Sequence, residues 1–219
     1  MSPADPTAVG RVADAVRAEI LGGVLAAGTP LREEQTAARF GVSRHTVRAA
    51  FRRLVAERLA EEEPYRGVRV AAFDRDRVIA LQQLRAALEV EAVRIARERY
   101  GPVWPAPVLA PARAALSRLD ALAAPSSADT EADDSWLAAE LAHAEFHRAL
   151  VEASASPRIV EAHAALGSEL LLFLLHVRPH YSLGELADEH RELLDDVQRR
   201  GPDAVREHLL HSLALLVGE

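Results

Sequence analysis

Hydrophobic residues recur every three or four positions along most of this chain, the period of helices that bury one side. Over residues 7–21, Ala8, Val12, Ala15, Val16 and Ile20 form such a stripe, interrupted by Glu19, and Gly22-Gly23 ends it. Gly28-Thr-Pro30 is turn chemistry. Arg32–Phe40 reads as a short helix stopped by Gly41, since glycine takes the left-handed conformation that closes a helix. Ser43 is placed to cap the next helix, from about Arg44 to Arg58, whose apolar stripe is Val47, Phe51, Leu54 and Val55. Arg44, Arg48 and Arg52 are spaced four apart and share another face. Leu59-Ala-Glu-Glu-Glu63, a turn at Pro64–Gly67 and Val68-Arg-Val-Ala71 read as a two-stranded hairpin.

From Asp74 onward the period is helical throughout. Asp76–Arg99 reads as one long helix with Val78, Leu81, Leu84, Leu88, Val93 and Ile95 largely inward, broken at Gly101-Pro-Val-Trp-Pro-Ala-Pro107. Helical periods follow over 107–123, 133–154, 157–178, 184–200 and 202–217. Pro125-Ser-Ser127, Ser156-Pro157, Pro179–Gly184 and Gly201-Pro202 separate them, and Ser156 before Pro157 is a cap followed by a first-turn proline. The predicted fold is mainly α. Residues 1–73 form a winged helix-turn-helix of three helices plus a β-hairpin wing, and residues 74–219 an all-helical bundle of about six helices.

Composition narrows the function classes. A length of 219 residues suits one large or two small domains. No apolar run approaches the ~18 residues that span a bilayer, Leu170–Leu175 being the longest candidate, and Met1-Ser-Pro-Ala-Asp-Pro6, with no basic region followed by an apolar core, does not read as a signal peptide. The absence of cysteine excludes disulfides, thiolate catalysis and cysteine-based zinc fingers. A cytoplasmic protein without membrane contact is expected. The net charge of −7 runs against nucleic-acid binding, but its distribution does not. Residues 1–73 hold 11 arginines against 9 acidic residues, and residues 74–219 hold 15 against 24. Within 39–58 there are 6 arginines and one acid, Glu57. The basic footprint is local. A short helix held by a turn against a second helix, with arginines outward, is what a DNA-reading helix needs. Arg52 and Arg53 have a second reading, as partners of acids such as Glu57.

Nine histidines is a high count for this length. His143 and His147, four apart, share one helix face and could bind one metal ion, with His190 on a later helix and His208 and His211 on the last. Three readings stand side by side: a metal site, a metal-free pocket that binds an anionic effector directly, and ordinary packing or surface histidines. His163, His176 and His180 receive no functional assignment.

The N-terminal residues Ala27-Gly-Thr-Pro-Leu31, Glu33, Ala37, Gly41-Val-Ser-Arg44, Val47-Arg48, Arg53-Leu54 and Arg66-Gly67 with Val70 resemble the GntR family of bacterial transcription regulators. The helical remainder resembles the FCD type of effector-binding and dimerisation domain. It does so through Arg85 with Glu89, Glu145-Phe-His147-Arg-Ala-Leu150 and Glu189-His190. The resemblance implies a homodimer that binds a palindromic operator in double-stranded DNA and responds to a small-molecule effector, in this type a carboxylic acid. It places Arg44 and Arg48 on bases and phosphates, with Ser43, His45 and Thr46 at the front of the helix, Arg52 further along, Arg32 nearby and Arg66-Gly67 at the wing tip. Glu34 stands where the family often carries a DNA-reaching arginine. The family's metal set, one aspartate and three histidines, carries over as His143 in the aspartate slot, then His147 and His190. Its last slot falls near Ser212, with His211 just before it. A histidine-rich set favours zinc or nickel over magnesium. Arg85 and Glu89, with Arg148 and Arg178 as further candidates, are the expected effector contacts, although Arg85 and Glu89 could equally pair with each other. Two other functions remain open from sequence. One is a DNA-binding regulator without a working effector site, and the other is a metal-dependent enzyme. A hinge is expected at Phe73–Arg75.

Overall fold

A computed structural model describes residues 7–72, 74–124, 132–177 and 182–217. The chain divides into two compact units, Met1–Phe73 and Asp74–Glu219. Phe73, part of the expected hinge, and Arg178 lie outside the described residues.

The first unit runs α1 (Ala8–Leu21), β1 (Pro30–Leu31), α2 (Glu33–Phe40), α3 (Arg44–Ala56), β2 (Ala60–Glu63) and β3 (Gly67–Val70). Each helix boundary has a local cause. The Thr7 hydroxyl accepts from the Gly10 amide to start α1, and Gly41, at φ 63°, closes α2 in the left-handed conformation. Ser43 starts α3 by accepting from the Thr46 amide at 3.1 Å. That helix ends at Ala56, two residues before its expected end, because Arg58 turns to φ 58°. The hairpin pairs Ala60 with Val70 and Glu63 with Gly67. The expected turn at Gly28-Thr-Pro30 also contributes to a strand, since Pro30 and Leu31 pair antiparallel with Arg69 and Val68, giving the order β1-β3-β2. Two residues are too few to show a period.

The core of this unit joins Val12, Val16 and Ile20 of α1 to Val47, Ala50, Phe51 and Leu54 of α3, closed by Leu31, Leu59, Ala60 and Val70. No residue of α2 is buried. Its side chains are tied to the neighbouring helices by ion pairs, Arg39 with Glu19 and Glu33 with Arg48. Glu57, the suggested partner for Arg52 or Arg53, is instead gripped by Arg17 of α1 through Nε and Nη2, both at 2.7 Å.

The second unit contains seven helices among the described residues: α4 (Arg75–Tyr100), α5 (Ala106–Ala123), α6 (Ala132–Glu152), α7 (Pro157–Ala164), α8 (Gly167–Val177), α9 (Leu183–Arg200) and α10 (Pro202–Val217). The stretch expected as one helix over 157–178 is two. The chain turns at Ala165–Leu166, where the Leu166 amide reaches back to His163 and Gly167, a weak helix former, follows. Ser156 occupies the cap position of α7 without a side-chain cap bond, and Pro157 alone sets the first turn. Packing of α5 on α6 and α9, and of α10 on α4 and α9, encloses a core that includes Val93, Trp104, Leu116, Phe146, Leu193 and Val205. Long α4 departs from expectation in what it buries. Leu84 is 47% exposed, while Gln82, Arg85 and Glu89 share the inward face with Val78, Leu81 and Val93.

Candidate nucleic-acid interface and candidate metal centre

The expected DNA-contacting residues occupy α3 from its cap at Ser43 to Arg52, the start of α2 and the wing. Ser43, Arg44, His45, Arg48 and Arg52 are exposed, and Thr46 is half-buried with its hydroxyl 2.9 Å from the Ser43 hydroxyl. Cap and hydroxyl pair together fix the first turn of α3. Arg48 donates from Nε and Nη2 to the two carboxylate oxygens of Glu33, at 2.8 and 2.7 Å. That bidentate grip holds the Glu33 carboxyl below its ordinary range. Arg44 forms an ion pair with Glu34. Arg32 is exposed at the N-cap of α2, without a side-chain cap bond. In the wing, Gly67 has φ 80°, a conformation open to glycine but costly for other residues, and Arg66 lies 3.7 Å from Glu63. Tyr65, which sequence reasoning passed over, projects fully from the wing tip at φ 66°.

The second unit gathers His143 and His147 of α6, His190 of α9 and His208 of α10. All four are buried, and each offers one ring nitrogen to a group whose members lie within 4.8 Å of one another. His211 is not among them. It is exposed, whereas His208 falls on the inward stripe of α10 with Val205, Leu209 and Ser212. The clue lay in the sequence, because the apolar period of that helix puts 208 inside and 211 outside. Ser212, the expected last slot, is buried but donates its hydroxyl to the His208 carbonyl at 3.1 Å. His163, left unassigned, also belongs to the surroundings of this cluster, donating from Nε2 to Glu89 Oε1 at 3.1 Å.

Hydrogen bonds fix how the rings are turned. His147 Nδ1 lies 2.8 Å from Glu89 Oε2, and His190 Nδ1 lies 2.7 Å from the Leu186 carbonyl. Each of those acceptors requires a proton on Nδ1, which leaves Nε2 as the lone-pair nitrogen. The Nε2 atoms of His147 and His190 then face each other at 3.2 Å. Two lone pairs at that distance repel unless a cation lies between them. A proton is a poor answer, since burial foremost, together with neighbouring charges, depresses all three of His143, His147 and His190, His147 to about 3. In addition, His143 Nδ1 and His208 Nε2 are buried with no hydrogen-bond partner. A tetrahedral ion with bonds of about 2.0–2.1 Å would separate its ligand nitrogens by about 3.4 Å, close to the spacing of the facing pair. The residues present therefore fit a divalent metal.

Around the cluster lies a buried charge pair. Arg85 donates from Nε to Glu89 Oε1 at 2.5 Å, and the two side chains are 2% and 1% exposed. Burial pushes the Glu89 carboxyl up, but Arg85, His147 and His163 outweigh it and hold the group well below the carboxylate range. Of the expected effector contacts, Arg85 and Glu89 are thus brought to the histidines. Arg148 is not. One position past His147 on α6, it faces outward and pairs with Glu152 at 3.2 Å.

A turn-separated helix pair, an arginine-bearing second helix and a hairpin wing, followed by a helical domain with an enclosed polar centre, define a ligand-responsive type of transcription regulator. Residues 8–70 match the model of the bacterial regulatory proteins of the gntR family and residues 80–215 that of the FCD domain, and the chain belongs to the GntR family with an FCD domain. It is a DNA-binding transcription regulator of that family. A protein of Paenarthrobacter nicotinovorans named for transcriptional repression of a D-xylose utilization operon is 29% identical over 208 residues, 95% of this chain and 86% of its own. The HTH-type transcriptional repressor GlaR of Escherichia coli (strain K12) is 28% identical over 195 residues, 85% of each chain. Among solved structures, a GntR-type regulator from Rhodococcus sp. RHA1 superimposes with a TM-score of 0.76 at 26% identity, covering 96% of this chain and 97% of that one. No helix among the described residues is long and apolar enough to cross a membrane.

Proposed function

We propose that this regulator works in the cytoplasm as a homodimer on a palindromic operator. On this reading Met1–Phe73 is the DNA-binding domain and Asp74–Glu219 the effector-binding and dimerisation domain. Ser43, Arg44, His45, Thr46, Arg48 and Arg52, with Arg32, Arg66 and Gly67, meet the duplex. Arginine suits this role because its planar fork matches guanine O6 and N7. His143, His147, His190 and His208 hold a divalent metal, zinc or nickel, whose role when bound is to attract and orient an anionic oxygen ligand. Four neutral imidazoles leave the charge of such an ion uncompensated, and Arg85 adds another positive charge against the single one of Glu89. A small carboxylic acid is the complementary effector. Its binding shifts the balance between dimer arrangements that differ in operator affinity.

The observation that carries this reading is the pairing of an exposed arginine-lined α3, capped at Ser43, with a buried four-imidazole cluster in which His143 Nδ1 and His208 Nε2 have no hydrogen-bond partner. An enzymatic role fits less well. Glu89, the carboxylate in contact with His147, is held ionised by Arg85 and accepts from both His147 and His163, so it is not poised to take a proton. The test is binding of the full chain to duplexes selected from a random pool. A palindromic motif should emerge, and Arg44→Ala should weaken binding to it by about 5- to 150-fold while leaving binding to random duplex much less changed. Selection of no motif would sink the proposal. Thermal shifts against carboxylic acids and divalent metals test the second half, and a chain that never shifts is a regulator without an effector site.

A further inference from the structure

Glu33 and Glu34 open α2 side by side, yet they meet the reading helix differently. Glu33 is one-third exposed and spends both oxygens on the fork of Arg48. Glu34 is 80% exposed and pairs with Arg44, itself 59% exposed, through Nη2 on Oε1. The first pair is a brace between two helices. The second stands in solvent at the first turn of α3, beside exposed Ser43 and His45.

We propose that Glu34 and Arg44 form one reading unit for two neighbouring base pairs, in which Arg44 donates to a guanine and Glu34 accepts from the N4 amino group of an adjacent cytosine. The inference rests on the DNA-binding reading above. A carboxylate brought near two rows of phosphates is repelled, so it must find a donor in the groove. The major groove offers donors at cytosine N4 and adenine N6 only. Adenine sets its N7 lone pair next to N6, where the second carboxylate oxygen would meet it. Cytosine sets a C–H there, so cytosine is preferred. The Arg44 guanidinium alongside offsets part of the carboxylate charge and brings it to the groove with the arginine. Glu34 is then a specificity-determining residue, and an operator lacking the cytosine is rejected by an unpaired negative charge as well as by a lost bond.

Selection of binding sites from a random duplex pool with the full chain, and with Glu34→Ala and Glu34→Gln, tests this directly. The wild-type motif should carry a guanine next to a cytosine in each half-site. E34A should keep the guanine and lose the cytosine preference by about 5-fold or more. E34Q should exchange cytosine for adenine, because an amide can both accept from N6 and donate to N7. The exposure of Glu34 makes folding of both variants expected, and thermal unfolding verifies it. If the wild-type motif is unchanged in both variants, with only a general rise in affinity for any duplex, Glu34 is a charge brake and the reading unit is overturned. If the wild-type chain selects no motif, the regulator reading fails instead.

Discussion

Ser43 shows how one side chain links folding to function. Its hydroxyl accepts the Thr46 amide at 3.1 Å and lies 2.9 Å from the Thr46 hydroxyl, so the turn that aims Arg44 and His45 is held from both ends. Ser43→Ala removes the acceptor and should cost about 1 kcal/mol of local stability. The Thr46 amide should then exchange with solvent roughly 5-fold faster, which hydrogen exchange read by NMR would detect, while amides in the middle of α3 change little. Unchanged exchange at Thr46 would mean the turn is held by packing alone. This cap was legible in the sequence because it is local: a serine, a glycine two residues before it and an apolar stripe after it suffice. His208 was harder. Counting forward from a family pattern pointed at His211 and Ser212, whereas burial follows the α10 stripe of Val205, Leu209 and Ser212 and turns His208 inward. Ser182 was within reach and passed over. Its capping box with Glu185 starts α9, and a serine followed three residues later by glutamate is a recognisable signal.

At the scale of single elements, α4 explains why periodicity named the right helix but only part of its inward face. An apolar stripe marks the inward side only where the interior is apolar. Here it is not: Gln82, Arg85 and Glu89 point in and Leu84 is 47% exposed. The signal that competes with the stripe is the Arg85–Glu89 spacing, which a sequence cannot separate from a solvated surface pair. Burial separates them in consequence. Removing one partner of an enclosed ion pair leaves an uncompensated charge and typically costs about 3–5 kcal/mol, far more than replacing both with apolar residues. Glu89→Ala should therefore destabilise the second unit strongly, and the double variant Arg85→Met with Glu89→Met should recover much of that loss. Trp104 and Trp136, the two tryptophans of the chain, both lie in this unit, so denaturation followed by tryptophan fluorescence reports on it selectively. Equal losses in the single and double variants would show that the pair behaves as two independent side chains. α2 offers the opposite case. With no buried residue, it is tied to its neighbours by exposed ion pairs, each individually weak. High salt should therefore loosen α2 before α1 or α3, with earlier exchange of its amides as the readout.

Across the whole molecule, the charge split and the histidine centre act on different variables. The excess of arginine in residues 1–73 favours approach to a duplex, and the excess of acid in residues 74–219 opposes it. The histidine centre sets how stability responds to metal and to pH. In chelated protein burial keeps His143, His147 and His190 neutral well below the ordinary histidine value, His147 down to about 3. An unfolded chain takes up protons below about pH 6.5, where the folded one does not. The folded state binds fewer protons through that window, so stability is full above it and falls as the pH drops. A bound divalent ion needs the same neutral nitrogens, and the folded chain offers them neutral through that window, so the rise in melting temperature it brings persists there and fades only nearer pH 3. Excess zinc after EDTA treatment should thus raise the melting temperature markedly at pH 7.5 and still do so at pH 5. His208→Ala should abolish most of that rise, because His208 supplies a ring nitrogen from the enclosed side of α10, while His211→Ala, on its exposed side, should preserve it. The comparison of those two variants separates a metal held inside the bundle from one picked up on its surface. Equal sensitivity of both, or of neither, would remove the metal from the account and leave the four rings as a polar lining for the effector itself.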